Sequence, residues 1–324
     1  MSRHGKCFSK SCEINCRNLV TDTFFIPKDT FVRDALASAS SLFESSGLHF
    51  GHGTDNAWDE SVVLLFWAMG ISEDPGESVL SEKLDSAAAE KFSEAVRRRA
   101  IEKLPAAYIT GEAWFCGLRF FVNQQVLVPR SPIAELIQNA YHPWLKERPG
   151  KILDLCCGSG CIGIAAAIFE PNSEVVLADF SAEALEVAKK NVDRFELSER
   201  ATVVHGDLFE ALGNEKFDLI LCNPPYVDSE DIRSMPAEYA HEPEIGLGSG
   251  ADGLHITRKI ISRASDYLHD EGVLILEVGN SWVNLERAFP SFPFLWVEFA
   301  NGGHGVCVLS RAELQSNVFR LDTI

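Results

Sequence analysis

Short apolar runs of strand length alternate with helical stretches over the second half of the chain. The seven runs are 151–155, 174–178, 201–205, 217–222, 273–277, 295–299 and 306–310. The stretches that follow the first two runs, 162–169 and 181–195, have the length and apolar spacing of helices. Because a strand–helix–strand repeat returns to the same sheet through a crossover helix, it favours parallel strands. We therefore predict an α/β fold with a doubly wound, mostly parallel sheet of seven strands.

Changes in composition divide the 324 residues into four predicted parts. In chain order they are a disordered tail (1–28), a small helical domain (29–110), a linking β-hairpin (111–128) and the sheet domain (129–324). In the helical domain, apolar spacing predicts helices from residue 29, over 58–69 and over 79–103. In the hairpin, 114–122 and 126–128 have strand character, and Asn123-Gln124-Gln125 between them is predicted to form the turn.

The formal net charge is −18, and the only run of basic residues is Arg97-Arg98-Arg99. A protein that holds long nucleic acid normally carries a basic surface, whereas an acidic protein attracts cationic partners. We therefore expect a basic protein as the partner, no stable binding to nucleic acid, and a monomer. No apolar run reaches the roughly 18 residues of a membrane span, and the amino-terminal residues lack the apolar core of a secretory signal. A cytoplasmic protein without a membrane partner is expected.

The nine cysteines are expected to be thiols, because disulfides are rare in the cytoplasm. Cys7, Cys12 and Cys16 have a spacing that matches no zinc pattern, so no metal site is predicted there or elsewhere. Four further cysteines have apolar neighbours and are predicted to be small core residues: Cys156, Cys157, Cys161 and Cys222.

The motif Asn223-Pro224-Pro225-Tyr226 follows a predicted buried strand, and ligand sites of open α/β sheets lie at the carboxyl ends of strands. The two prolines fix the backbone and have no N–H, so their segment presents carbonyl oxygens. The side-chain carbonyl of Asn223 is a second acceptor, and Tyr226 offers a flat face for stacking. Such a set could receive a planar group that carries an NH2, either an amide or the amine of a base. The alternative is an ordinary turn.

Small and acidic residues follow the other early strands. The turn at 156–160 contains glycines that let a ligand approach the backbone, and Asp179 stands where an acid accepts hydrogen bonds from ribose hydroxyls. Asp207 could accept from an adenine amine, and Asp154 could meet a cationic amino-acid group. These groups suit S-adenosylmethionine better than NAD, whose pyrophosphate would be repelled by two of the carboxylates. The alternative is that the acids only cap helices.

Together these motifs resemble the class I S-adenosylmethionine-dependent methyltransferases, and within them the protein-glutamine methyltransferases of the HemK/PrmC group. Five further stretches are similar to the PrmB branch, whose members methylate a glutamine of large-subunit ribosomal protein three: 50–56, 113–117, 126–132, 241–244 and 277–281. The resemblance implies a Rossmann-like methyltransferase sheet and a helical domain that recognises the substrate. It also implies S-adenosyl-L-methionine as methyl donor, S-adenosyl-L-homocysteine as product, and that ribosomal protein as partner.

The resemblance also implies which residues form the site. The catalytic residues would be Asn223, Pro224, Pro225 and Tyr226. The cofactor-binding residues would be Asp154, Cys156, Cys157, Gly158, Ser159, Gly160, Asp179, Asp207, Leu208 and Asn223. In two places the sequence departs from the group. Cys156 replaces the first glycine of the turn, and 129–134 reads Pro-Arg-Ser-Pro-Ile-Ala where the release-factor branch has Pro-Arg-Pro-x-Thr-Glu, which favours the PrmB branch.

The implied reaction is methyl transfer to the side-chain amide nitrogen of a glutamine. That nitrogen is a poor nucleophile, because its lone pair is delocalised into the carbonyl. If Asn223 and the Pro224 carbonyl accept its two N–H groups, the lone pair is aimed at the methyl donor, and catalysis is mostly positioning, worth about 7–11 kcal/mol. The alternatives are methylation of a release-factor glutamine, methylation of an exocyclic amine in DNA or RNA, and a non-catalytic role in ribosome assembly.

Overall fold

The computed structural model describes residues 23–72 and 75–316. The chain divides into two compact units, Met1–Gly111 and Glu112–Ile324. Each unit has its own apolar core.

Most of the predicted tail, residues 1–22 with its three cysteines, lies outside the described residues. The last part of the tail is described and is folded. The side chain of Ile26 is buried in the core of the first unit, and its backbone N–H donates to Ser93 Oγ at 2.9 Å. The folded chain therefore begins before residue 29, because the apolar side chain of Ile26 packs into the core of the first unit.

Four α-helices form the part of the first unit that the structure describes, residues 23–72 and 75–111: α1 (Val32–Ser45), α2 (Ala57–Met69), α3 (Ser86–Arg97) and α4 (Ala106–Thr110). Helix α2 begins at its N-cap Asn56, whose side chain accepts from the Asp59 backbone N–H at 2.9 Å. The predicted helix at 79–103 is wrong in its length. The region consists of a 3₁₀ turn (Glu77–Ser81), then α3, then a single π-helical turn (Arg98–Glu102). Helix α3 begins separately, because the Asp85 side chain caps its first turn by accepting from the Ala88 backbone N–H.

The arginine run 97–99 does not form a basic surface. Arg99 is 1% exposed and donates from Nε to Glu60 Oε1 at 2.9 Å and from Nη2 to the His49 carbonyl at 2.8 Å. Arg97 pairs with Glu94, and Arg98 lies 3.7 Å from Glu102. Each of the three charges is matched by a carboxylate, so this run offers no patch for a phosphate backbone.

The hairpin is present, but its turn lies elsewhere than predicted. Strands β1 (Glu112–Phe115) and β2 (Leu118–Phe121) pair antiparallel. Cys116 and Gly117 form the turn, with φ of 52° and 75°. Two left-handed residues suit the twist of a tight hairpin. Residues 126–128, predicted as the second strand, form no strand at all.

Besides the hairpin, residues 112–316 of the second unit form a sheet of six strands: β3 (Lys151–Leu155), β4 (Glu174–Asp179), β5 (Ala201–His205), β6 (Phe217–Cys222), β7 (Leu268–Glu277) and β8 (Val306–Ser310). Their order is β5-β4-β3-β6-β7-β8, and all neighbours are parallel except β7 and β8. The predicted fold class, a mostly parallel α/β sheet, is confirmed.

The predicted strand count of seven is wrong for the described residues. The run 295–299 forms only an isolated bridge, Trp296 to Cys307. Two further backbone hydrogen bonds join it to β8, from the Val297 N–H to the Val306 carbonyl at 2.9 Å and from the Val308 N–H to the Leu295 carbonyl at 3.4 Å. Pro293, just upstream, has no backbone N–H to donate, which keeps the pairing short.

Helices cover the sheet, and two apolar layers separate it from them. The helices of this unit are α5 (Ile133–Gln138), α6 (Cys161–Phe169), α7 (Ala182–Arg194), α8 (Ser229–Ser234), α9 (His255–Ala264), α10 (Trp282–Ala288) and α11 (Arg311–Ser316). Side chains alternate along β3, so Ile152 belongs to one layer and Leu153 to the other. The chain runs outward from β3 to β5 and then returns to β6 on the other side of β3. This reversal opens a crevice at the carboxyl ends of β3 and β6.

Candidate active site

A cavity of about 540 Å³ lies at the carboxyl ends of the parallel strands. This volume is in the range of small-molecule sites. Its lining includes residues at or just after the ends of four consecutive strands: 155–159 at β3, 178–181 at β4, 206–208 after β5 and 223–227 after β6. The structure therefore brings the predicted glycine turn and the Asn-Pro-Pro-Tyr motif into one cavity.

The turn after β3 is built for close approach to its backbone. A Cβ placed on Gly158 would meet nothing within 4 Å, so this backbone faces open space. Cys156, which replaces the family's first glycine, adopts φ 62°, a left-handed conformation that favours glycine. The local fold therefore keeps the glycine-like geometry despite the larger residue, and Cys156, Cys157 and Ser159 all line the cavity.

Asp179 connects the turn to the next helix. Its Oδ2 accepts from the Gly158 N–H and its Oδ1 from the Ser181 N–H, both at 2.8 Å. Burial raises the pKa of Asp179, while hydrogen bonds from those backbone N–H groups oppose the rise. Asp207 and Leu208 also line the cavity, one strand further along. Asp179 therefore both accepts a hydrogen bond at the start of the next helix and lines the cavity, so capping does not account for it fully.

Two predicted cofactor residues, Asp154 and Gly160, do not line the cavity. Asp154 is 1% exposed and its Oδ2 accepts from the Gly163 N–H at 2.7 Å, beneath the turn. Burial, with the neighbouring charge of Asp179, raises the pKa of Asp154 to about 7. The Oδ2 atom therefore supports the start of α6 from below, whereas the buried Oδ1 makes no hydrogen bond within the described residues. Gly160 lets the start of α6 pack close to the sheet, since a Cβ there would lie 3.3 Å from Cδ1 of Leu177 in β4.

Asn223, Pro224, Pro225 and Tyr226 all line the cavity. The Asn223 side chain makes no hydrogen bond to any residue in the described ranges, and it is not sealed in the interior. Its amide is therefore available to a ligand. Tyr226 is fixed at both ends: Ser281 Oγ donates to its carbonyl at 2.6 Å, and its hydroxyl donates to Glu277 Oε1 at 3.4 Å.

Another wall of the cavity is formed by residues within two further segments, 125–131 and 231–248, which residue chemistry in the sequence did not assign to the site. A bidentate ion pair joins them: Arg130 Nη1 and Nη2 each donate to a Glu242 carboxylate oxygen at 2.6 Å. The Val128 N–H also donates to Glu242 Oε1 at 3.0 Å. The only sequence signal for this wall was its similarity to the PrmB branch, because neither segment is periodic.

The six described cysteines are free thiols, as predicted. No group of three or more His, Cys, Asp or Glu side chains in the described residues could hold a metal ion. Among these residues, too, no helix has the length and apolar character needed to cross a membrane.

Comparison with known proteins gives a consistent result. The methyltransferase small domain family matches residues 137–239. The ribosomal protein uL3 glutamine methyltransferase of Neisseria gonorrhoeae is 44% identical over 287 residues, which cover 88% of this chain and 96% of that protein. The protein of that name from Neisseria meningitidis is also 44% identical over 287 residues, with 88% and 94% coverage.

A more distant likeness is to the solved hMettl16 catalytic domain in complex with MAT2A 3′UTR hairpin 6. The two share 15% identity at a TM-score of 0.47, over 69% of this chain and 81% of that one. The identity to the Neisseria proteins, by contrast, extends over nearly their whole length. This chain is a methyltransferase and belongs to the ribosomal protein uL3 glutamine methyltransferase family.

Proposed function

We propose that this enzyme transfers a methyl group from S-adenosyl-L-methionine to the side-chain amide nitrogen of a glutamine in ribosomal protein uL3. Family membership supports the reaction. One observation carries the proposal for the residues of this chain. The Asn223 side-chain amide is accessible, makes no hydrogen bond within the described ranges, and lines the same cavity as residues of the turn at 156–160.

The residues of this cavity fit the proposed cofactor. The open backbone at Gly158 admits a ligand at close range, and Asp179 supplies carboxylate oxygens for ribose hydroxyls. Asp207, which is exposed, and Leu208 would border the adenine. When bound, S-adenosylmethionine supplies an electrophilic methyl group on a sulfonium. The protein's own contribution is to hold the acceptor amide.

Asn223 Oδ1 and the backbone carbonyl of Pro224 would accept the two N–H groups of the substrate amide. This draws the nitrogen lone pair out of conjugation and orients it, while the Tyr226 ring holds the amide plane. Positive charge develops on the nitrogen during transfer, so preorganised acceptors stabilise the transition state. The proton leaves to solvent after transfer, and no general base is assigned.

A basic protein substrate agrees with the charge of −18. The rival substrate, an exocyclic amine of DNA or RNA, would require a surface for phosphates, and the arginine run 97–99 is matched by Glu60, Glu94 and Glu102. A gel-shift titration separates the two: tight, salt-sensitive binding to nucleic acid would favour the rival. The monomeric state and the cytoplasmic location remain predictions.

The direct test uses purified enzyme, S-adenosylmethionine with a labelled methyl group, and purified unmethylated uL3. We expect label in uL3, on a glutamine side chain by peptide mass spectrometry. Release factors and duplex DNA, tested at equal concentration, are expected to remain unlabelled. Labelling of either one in place of uL3 would contradict the proposal.

Asp179→Ala is expected to raise the dissociation constant of S-adenosylmethionine by roughly 10- to 100-fold, because hydrogen bonds to a charged group contribute about 1.5–3 kcal/mol. Calorimetric titration measures this directly. Asp218→Ala is the matched control, since Asp218 also accepts from two backbone N–H groups, at 2.8 and 2.9 Å, but at the opposite end of the sheet. An unaltered constant for Asp179→Ala, or an equal rise in both variants, would count against the assigned role.

A further inference from the structure

A buried carboxyl group lies directly behind Tyr226. Glu277 is the last residue of β7 and is 4% exposed. Ser131 Oγ donates to its Oε2 at 2.5 Å, and the Tyr226 hydroxyl donates to its Oε1 at 3.4 Å. Glu277 does not line the cavity, but both of its hydroxyl partners do. A carboxyl group without direct access to ligand thus contacts two residues of the site.

The residues after Glu277 also hold Tyr226. Gly279, with φ 45°, lies against the tyrosine ring so closely that a Cβ would stand 2.5 Å from Cε2. Ser281 Oγ donates to the Tyr226 carbonyl. The ring, the hydroxyl and the backbone of the tyrosine are therefore all positioned by one short segment, 277–281.

Arg130 is the cation that faces Glu277, but its charge is already matched. Both of its terminal nitrogens donate to Glu242, and it lies over the Tyr239 ring at 5.3 Å. An ionised Glu277 is therefore an excess negative charge in this corner of the site. Burial raises the pKa of Glu277 to about 7, although the hydrogen bonds from Ser131 and Tyr226 and the charge of Arg130 oppose the rise.

We propose that Glu277, supported by Ser131, is a positioning residue for Tyr226, and that its ionised form holds the tyrosine in the productive orientation. This proposal rests on the function proposed above, in which Tyr226 holds the substrate amide.

The hydrogen-bond pattern favours the ionised form. Both hydroxyls donate to the carboxylate, one to each oxygen, which an ionised group accepts without conflict. A protonated carboxyl would instead direct its own O–H at one of the two hydroxyls, which would then have to accept in place of donating. An ionised Glu277 behind the tyrosine would also stabilise the positive charge that develops on the amide nitrogen. Since the ionised form dominates above the pKa, turnover should rise as pH increases through about 7.

The test compares pH profiles of kcat for the wild type, Glu277→Gln and Ser131→Ala. We expect a rising limb near pH 7 in the wild type. Glu277→Gln should lower kcat by about tenfold, the effect of one hydrogen bond to a charged group, and abolish this limb with little change in the cofactor dissociation constant. Ser131→Ala should move the limb to higher pH, because it removes a hydrogen bond that lowers the Glu277 pKa.

Glu170→Gln is the matched control, since Glu170 is also a buried carboxyl, paired with Arg148. It should keep the rising limb. A wild-type-like limb in Glu277→Gln, or an unmoved limb in Ser131→Ala, would overturn the proposal.

A measurement on the free enzyme, without substrate, tests the positioning role independently of the proposed function. In the free enzyme, the carboxyl carbon of Glu277 and the ring signals of Tyr226 can be followed by NMR as pH is varied. We expect the two to titrate together, and the tyrosine change to vanish in Glu277→Gln. If the Glu277 and Tyr226 signals titrate together but uL3 is not methylated, the substrate assignment is wrong and the positioning role is supported. Tyrosine signals that ignore Glu277 would refute the positioning role, whichever substrate is methylated.

Discussion

Replacing Asn223 with alanine is expected to lower kcat by about 10²–10³-fold while leaving the cofactor dissociation constant nearly unchanged. The magnitude is that of removing one preorganised hydrogen-bonding group that faces the developing charge. Asn223 is suited to such a role, because its side chain lines the cavity and makes no hydrogen bond within the described ranges. Methyl transfer to uL3 under saturating substrate measures kcat, and calorimetric titration measures cofactor binding.

Asn214→Ala is the control for this variant. Asn214 lies in the loop before β6, whereas Asn223 directly follows the same strand at its other end. The control should keep wild-type turnover. Equal losses of turnover and cofactor affinity in Asn223→Ala would refute the separation of roles, since the asparagine would then serve the cofactor as much as the substrate amide.

Four of the five parallel strands could be predicted to within one residue, because each is a short apolar run. The fifth, β7, begins at Leu268, five residues before the predicted run 273–277, because residues 269–271 are polar and carry no strand signal. The predicted runs 151–155, 201–205 and 217–222 coincide with β3, β5 and β6. The hairpin turn was misplaced for a local reason. Asn-Gln-Gln has the polar character of a loop, whereas the actual turn places Cys116 at positive φ, which a cysteine seldom adopts.

The lining of the candidate site was predictable where it consists of residues at or just after the end of a strand. Asp207 and Asn223 come just after β5 and β6, Asp179 is the last residue of β4, and parallel strands bring these ends together. Asp154 fails this rule because it precedes the last residue of β3, and alternation turns its side chain under α6. The wall at 231–248 could not be predicted, because irregular chain is placed by tertiary contacts such as the pair of Arg130 with Glu242.

Arg99→Met is expected to destabilise the first unit by about 3–5 kcal/mol, because it leaves the Glu60 carboxylate buried without its partner. Burial already raises the pKa of Glu60, while the charge and hydrogen bonds of Arg99 oppose the rise. Without Arg99 the folded-state pKa rises further above the ordinary value of 4.5. The loss of stability should therefore be smallest below that value, where the carboxyl is protonated in both states, and should grow as pH increases through the folded-state pKa. Denaturant unfolding of wild type and variant at several pH values measures the difference.

Two further variants decide whether the unpaired charge of Glu60 causes the loss of stability in Arg99→Met. Arg98→Met removes the neighbouring arginine, whose side chain is 40% exposed and lies 3.7 Å from Glu102, and should change stability by less than about 0.5 kcal/mol. Glu60→Leu combined with Arg99→Met removes both charges and should recover most of the loss, because well-packed apolar residues replace a buried pair at little cost. A double variant as unstable as Arg99→Met would instead assign the stability to the hydrogen bond from Arg99 to the His49 carbonyl. In that case the arginine would act by anchoring the loop 46–56 at His49, and the carboxylate would contribute little to stability.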